Sequence, residues 1–215
     1  MRHFFRWSVL ALLCLPAVVL AEFVGIPKAD FDKHYRRQQD PFWCWASSAE
    51  MVLSYQGVKL TQDKIVERIK GMVVSGTGNP VEMVRSTNGI FQDVNGKNAV
   101  VSGQMVMGAP LPTVLYNQLK QKKPVVLTYQ SNPQIGHAVV LTGMDATVSS
   151  AGVVITKLYV FDPFAYTVSP SFRGPVFTKD DSLIYREYPP QETPYGVSIP
   201  AGMITGVILM NGSPI

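Results

Sequence analysis

The chain has 215 residues, 47% of them hydrophobic and 16% charged, a balance that suits one folded globular domain and excludes a disordered or fibrous protein. Its formal charge of +4 comes partly from the first twenty-one residues, which hold two of the nineteen Lys and Arg and none of the fifteen Asp and Glu, so the remainder carries only +2. So weak and scattered a positive balance argues against nucleic acid or an anionic membrane surface as partner.

Arg2 and Arg6 followed by the apolar run Trp7 to Leu20, with small Val19 and Ala21 at its end, read as an export signal over residues 1–21 with cleavage after Ala21. The run is shorter than the roughly 20 apolar residues that span a bilayer and contains Pro16, so no membrane anchor is expected after cleavage. The destination is the periplasm or the outside of the cell. Leu13 stands where lipid attachment at Cys14 would need a small residue, which argues against a lipoprotein.

Glu22 to Arg37 reads as a polar lead-in. From Cys44 to Gln56, apolar Trp45, Ala49, Val52 and Leu53 recur at helical spacing and Gly57 stops the pattern. A second helix is expected over Thr61 to Lys70, with Thr61 as cap, Ile65, Val66 and Ile69 as the apolar face, and Gly71 as the end. Val73 to Pro110 is rich in Gly and Asn and is read as irregular apart from a short helix over Pro80 to Ser86, with another helix over Pro112 to Gln121. Lys120, Lys122 and Lys123 fit a solvated helix end.

After Pro124 the pattern changes. PVVLTY, HAVVLTGMD and VVITKLYVFD are β-branched runs of strand length, and Ser149 to Gly152 reads as a hairpin turn that makes the last two antiparallel neighbours. Beyond Asp162 the chain is Pro-rich, with expected strands at Ser182 to Glu187 and Ile204 to Met210. Helices first and an antiparallel sheet second define an α+β fold with a cleft where the halves meet.

Once Cys14 leaves with the leader, Cys44 is the only cysteine. An odd thiol in an exported protein is buried and inert, paired between chains, or chemically used. One cysteine and the histidines cannot build a Cys-rich zinc cage, and no cofactor is expected. Cys44 falls at a helix start, where unpaired N–H groups favour a thiolate. A nearby imidazole would favour it further and could later protonate a leaving amine. His3 leaves with the leader and His34 lies in a charged stretch expected to be exposed, so His137, at the opening of a strand, is the better candidate. Asp162 ends the next strand and can orient that ring if the two strands are neighbours. A side-chain amide can stabilise an oxyanion, and Gln38 and Gln39 both precede Cys44.

The segments QQDPFWCWASSAEMV, KKPVVLTY, GHAVVLTGMD and LYVFDP, spanning about Gln38 to Pro163, resemble the papain-like cysteine peptidases. They are similar in particular to the compact bacterial kind that includes bacteriocin-leader peptidases and proteolytic effectors of plant pathogens. The resemblance implies a papain-like fold over residues 22–215, with a core at 38–163, a C-terminal extension at 164–215 and the catalytic helix packed on the sheet. It implies Cys44 as nucleophile, His137 as general base, Asp162 as orienting residue and, at the usual six-residue offset, Gln38 as oxyanion donor with Gln39 as rival. The substrate would be a peptide or protein. Two alternatives stay open: the same machinery acting on a non-protein amide or transferring the acyl group, and a non-catalytic binding module on the same fold. A bridge between chains through Cys44 is a third.

Overall fold

The computed structural model describes residues 21–132, 135–163, 186–188 and 204–211. Residues 1–20 of the expected 1–21 leader lie outside them, as do residues 182–185 of one expected strand. The lead-in is more structured than its polarity suggests: it opens with strand β1 (Glu22–Gly25) and a short helix α1 (Lys28–Asp32). Phe31 of α1 is fully buried, 4.9 Å between ring centroids from Phe161 and 5.3 Å from Tyr55. Phe31 is the buried residue of α1, and Ile26, 2% exposed, anchors the chain between β1 and α1.

Helix α2 (Cys44–Tyr55) follows the apolar spacing, and it is buried on more than one side, Ser47 and Ser48 included. Ser48 Oγ satisfies itself by donating to the Ala138 carbonyl at 3.2 Å, which ties α2 to the sheet. Helix α3 (Gln62–Lys70) ends at Gly71, whose φ of +83° is the left-handed stop that glycine adopts without strain. Thr61 occupies the N-cap position, but its hydroxyl bonds the Asp63 carboxylate rather than an open backbone N–H. Helix α4 (Pro80–Ser86) is the better capped, with a reciprocal box between Asn79 and Glu82 and Pro80 in its first turn.

The stretch expected to be irregular instead contains a hairpin, β2 (Gly89–Gln92) and β3 (Asn98–Met107). Its glycine reads as a breaker but serves close packing: a Cβ on Gly103 would lie 2.6 Å from Ile208 and 2.8 Å from Thr87. Helix α5 (Pro112–Lys120) then leads to β4 (Val125–Asn132), β5 (Ile135–Ser149), β6 (Gly152–Phe161), β7 (Arg186–Tyr188) and β8 (Ile204–Asn211). The elements therefore interleave rather than run helices first and sheet second.

All strand pairs are antiparallel, in the order β2-β3-β8-β4-β5-β6-β7, with β1 pairing the far half of β5 at Gly143 to Ala146. The expected turn pairs Ser149 with Gly152 and makes β5 and β6 neighbours. Strand β8 lies between β3 and β4, so a segment outside the expected 38–163 core is built into the middle of the sheet. Helix α2 covers one face, over Ala138, Val140, Phe161 and Ile208, with α3 packed against α2 and α4, and α5 covers the other over Val139, Leu141 and Val207. This is a mixed helix and antiparallel-sheet fold. Because Ile208 is 1% exposed in this central strand, Ile208→Ala is expected to lower unfolding free energy by about 2–5 kcal/mol, measured as a reduced urea midpoint at unchanged m-value.

Candidate active site

The start of α2 is set by its approach. Asp40 Oδ1 accepts from the Phe42 N–H at 2.8 Å, and the Asp40 carbonyl accepts from the Trp43 N–H at 3.1 Å, a turn that delivers the chain into the helix at Cys44. Trp43, at the N-cap, has no side-chain acceptor to offer, so the N–H groups of the first turn keep their positive end available beside the thiol. Cys44 is half-buried there.

His137 enters from β5. The β5–β6 ladder ends at Val140 opposite Phe161, so Asp162 follows its last pair on one strand while His137 stands three residues before it on the other. Side chains on neighbouring strands at that spacing are within reach of each other. His137 Nε2 and Asp162 Oδ1 are 2.8 Å apart, with the carboxylate 2% and the imidazole 15% exposed. The ring also hydrogen-bonds the Cys44 side chain. With Nε2 directed at Asp162, Nδ1 is the nitrogen left for sulfur. Tyr129, opposite His137 on β4, presents its ring edge-on at 5.7 Å between centroids.

Burial alone would lower the His137 pKa. The Asp162 charge and hydrogen bond, joined by those of Cys44, outweigh it and hold the imidazole up at about 10. Cys44, His137 and Asp162, chosen from three separate elements, therefore meet.

Gln38 and Gln39 part company. Gln38 is 8% exposed and its backbone N–H donates to the Pro163 carbonyl at 3.0 Å, linking the approach to α2 with the residue after Asp162. Its Nε2 donates to the carbonyls of Asp40 at 2.9 Å and Pro41 at 2.8 Å, while Oε1 is buried without a hydrogen-bond partner. Gln39 is exposed.

His34 departs from expectation. It is half-buried rather than exposed, with Nδ1 3.0 Å from Ser54 Oγ and its ring against Phe31 and Tyr55. Burial, with Lys33 and Arg36 adding to it, lowers its pKa to about 4. It joins α1 to α2 and takes no part in the cleft. The charged flanks that suggested solvent belong to its neighbours, not to the ring.

A cleft of about 280 Å³ opens over Cys44 and His137. Thr77, Gly78 and Pro80 form one wall, and Met105, Met107 and Thr128 line it from the sheet. Thr77, Gly78, Met105 and Met107 come from the stretch read as irregular, whereas Pro80 and Thr128 fall in an expected helix and an expected strand. Among the described residues, no group of three or more His, Cys, Asp or Glu converges as a metal site would require, and no helix is long and apolar enough to cross a membrane.

A family model described as Peptidase_C39 like family matches residues 31–176, more than half of the chain and a span that includes Cys44, His137 and Asp162. No curated protein matches the chain significantly.

The imidazole makes a direct prediction. A folded pKa raised from 6.5 to about 10 means that the His137 contribution to stability is complete below pH 6.5 and is lost as pH rises through about 10. NMR titration of the His137 ring is expected to find it protonated through neutral pH, and Asp162→Asn to lower the midpoint by at least ~1 unit.

Proposed function

The chain belongs to the Peptidase_C39 like family, and on that premise we propose that it is an exported papain-like cysteine peptidase that cleaves peptide bonds with Cys44, His137 and Asp162. The observation that supports it is the one imidazole bonded on one side to a buried carboxylate and on the other to a thiol at a helix start. That arrangement suits acyl transfer.

The Cys44 sulfur attacks the substrate carbonyl carbon, forming a C–S bond and moving the carbonyl electron pair onto oxygen. The oxyanion is met by the backbone N–H of Cys44 and by the Gln38 amide. For that role Gln38 Nε2 must release one of the two loop carbonyls it now serves. His137, as imidazolium, donates its proton to the departing amine as the C–N bond breaks. Water then attacks the thioester, His137 takes a proton from that water, and the sulfur leaves. Asp162 keeps the ring oriented and stabilises its charge throughout.

The substrate is a peptide or protein segment laid in the cleft, whose lining of Met83, Met105 and Met107 suits an apolar side chain next to the scissile bond. Export follows from the leader, and N-terminal sequencing of the secreted material is expected to begin at Glu22, the first residue of β1.

Cys44→Ala and His137→Ala are expected to abolish peptide hydrolysis with the fold intact by circular dichroism, while Asp162→Ala retains measurable turnover. Gln38→Ala is expected to reduce kcat on the order of 10²-fold and Gln39→Ala to change it little. Iodoacetamide at pH 6 separates catalysis from a binding module: rapid alkylation of Cys44 fits an activated thiolate, and a rate at or below that of a free peptide cysteine would sink the reading.

A further inference from the structure

The tryptophans on either side of Cys44 do more than fill the core. Trp43 Nε1 donates to the Val74 carbonyl at 3.0 Å and Trp45 Nε1 to the Gly76 carbonyl at 3.1 Å. Two donors spaced by two residues meet two acceptors spaced by two residues. The next step along the segment, Gly78, lies flat on the Trp45 indole: a Cβ there would sit 2.7 Å from the ring atoms Cγ and Cδ2.

Other groups hold the same short stretch. Lys70 Nζ donates to the Thr77 carbonyl at 3.0 Å while paired with Glu82 at 2.8 Å, and it lies 5.9 Å from the centre of a Trp45 ring. Ser75 Oγ donates to Asp40 Oδ1 at 3.0 Å, the same carboxylate oxygen that turns the chain into α2. Apolar side chains do little to hold it, since Met72, Val73 and Val74 are 63%, 53% and 37% exposed. Its position is set by polar anchors, and two of them come from the residues flanking the nucleophile. Thr77 and Gly78 form part of the cleft wall that Cys44 and His137 face.

We propose that Trp43 and Trp45 are positioning residues for substrate, which register the Val74–Gly78 wall against the Cys44 sulfur through their indole N–H groups. The proposal rests on the peptidase reading. It explains why Cys44 stands between two buried tryptophans and why the wall carries glycine where it crosses the indole. A peptide entering the cleft is held against this wall, so a shift of the wall weakens peptide binding while leaving the thiol, its helix start and its imidazole in place.

Two reagents separate these effects. A leucine-containing peptidyl epoxide must occupy the cleft before the Cys44 sulfur opens its ring, forming a C–S bond as the C–O bond breaks and the oxygen takes a proton from His137. Iodoacetamide needs only the thiolate. In the Trp43→Phe/Trp45→Phe variant, which keeps aromatic rings but removes both N–H donors, the epoxide inhibition constant is expected to rise on the order of 10-fold, with the iodoacetamide rate within twofold of the parent. Gly78→Ala should act in the same direction by pushing the wall off the indole. Lys70→Met, which releases the Thr77 carbonyl and leaves both indole N–H donors in place, gives a smaller rise and serves if the double variant fails to fold.

An unchanged epoxide constant in folded variants would overturn the proposal, as would equal losses toward both reagents, which would place the damage at the nucleophile. Slow alkylation of the parent protein is a different result: it removes the peptidase reading and the positioning role with it.

Discussion

A carboxylate that is 2% exposed cannot stand alone, and Asp162 is paired with the His137 imidazole at 2.8 Å. Leaving such a charge unpaired is costly, so much of the surrounding structure answers to this contact. It requires β5 and β6 to keep a register that brings Asp162 to His137, and the Ser149–Gly152 turn ties that register to the hairpin's closed end. It also requires the chain after β6 to stay put, which the Gln38 N–H does by binding the Pro163 carbonyl. The same link carries the approach to α2, so the strand bearing the carboxylate and the helix bearing the thiol are positioned through one backbone hydrogen bond. Ser48 makes a separate tie from α2 to β5, at Ala138 next to His137.

The sheet beneath is closed by parts of the chain distant from this pair. Strand β8 enters between β3 and β4, and Thr128 of β4 holds it twice, by donating to the Gly206 carbonyl and by accepting from the Thr205 hydroxyl, both at 2.9 Å. Gln118 of α5 fastens it again at the Met210 carbonyl. Thr128 and Thr205 also line the cleft, so the contacts that seat β8 shape the surface a substrate meets. Pairings separated by about a hundred residues in β3–β8 make this a fold of non-local contacts, of the kind that forms after its local helices and hairpins.

Much of the site was legible in the sequence because each group stands at a boundary with a local signal. Cys44 opens an apolar helical repeat, His137 opens a β-branched run, and Asp162 precedes a proline that ends one. The extent of α2 and the turn at Ser149 to Gly152 were legible for the same reason. The β2–β3 hairpin was not, because Gly103 answers to Ile208 more than a hundred residues away, and nothing local separates a packing glycine from a breaker. Nor was α1, whose buried side chain is the single ring of Phe31. The tryptophan contacts to Val74 and Gly76 are not legible in the sequence because an indole donor reaching a loop carbonyl leaves no periodic mark.

The two described histidines show how far context outruns residue type. Burial pushes both imidazoles toward the neutral form. At His34 the adjacent charges are Lys33 and Arg36, which act in the same direction, and the pKa falls to about 4. That ring is neutral in ordinary conditions and fit for packing between Phe31 and Tyr55. At His137 the adjacent charge is the Asp162 carboxylate, which reverses the effect of burial and brings the pKa to about 10. That ring is a cation next to a thiol. The sequence lays out His34's charged neighbours within two residues, whereas the group that decides His137 lies twenty-five residues away and arrives only through strand register. A proton held on His137 across the neutral range has a use in the proposed reaction, since it is there when the amine departs. The long-range pairing thereby converts an otherwise buried, neutral histidine into a cation that can serve as the acid of the proposed reaction.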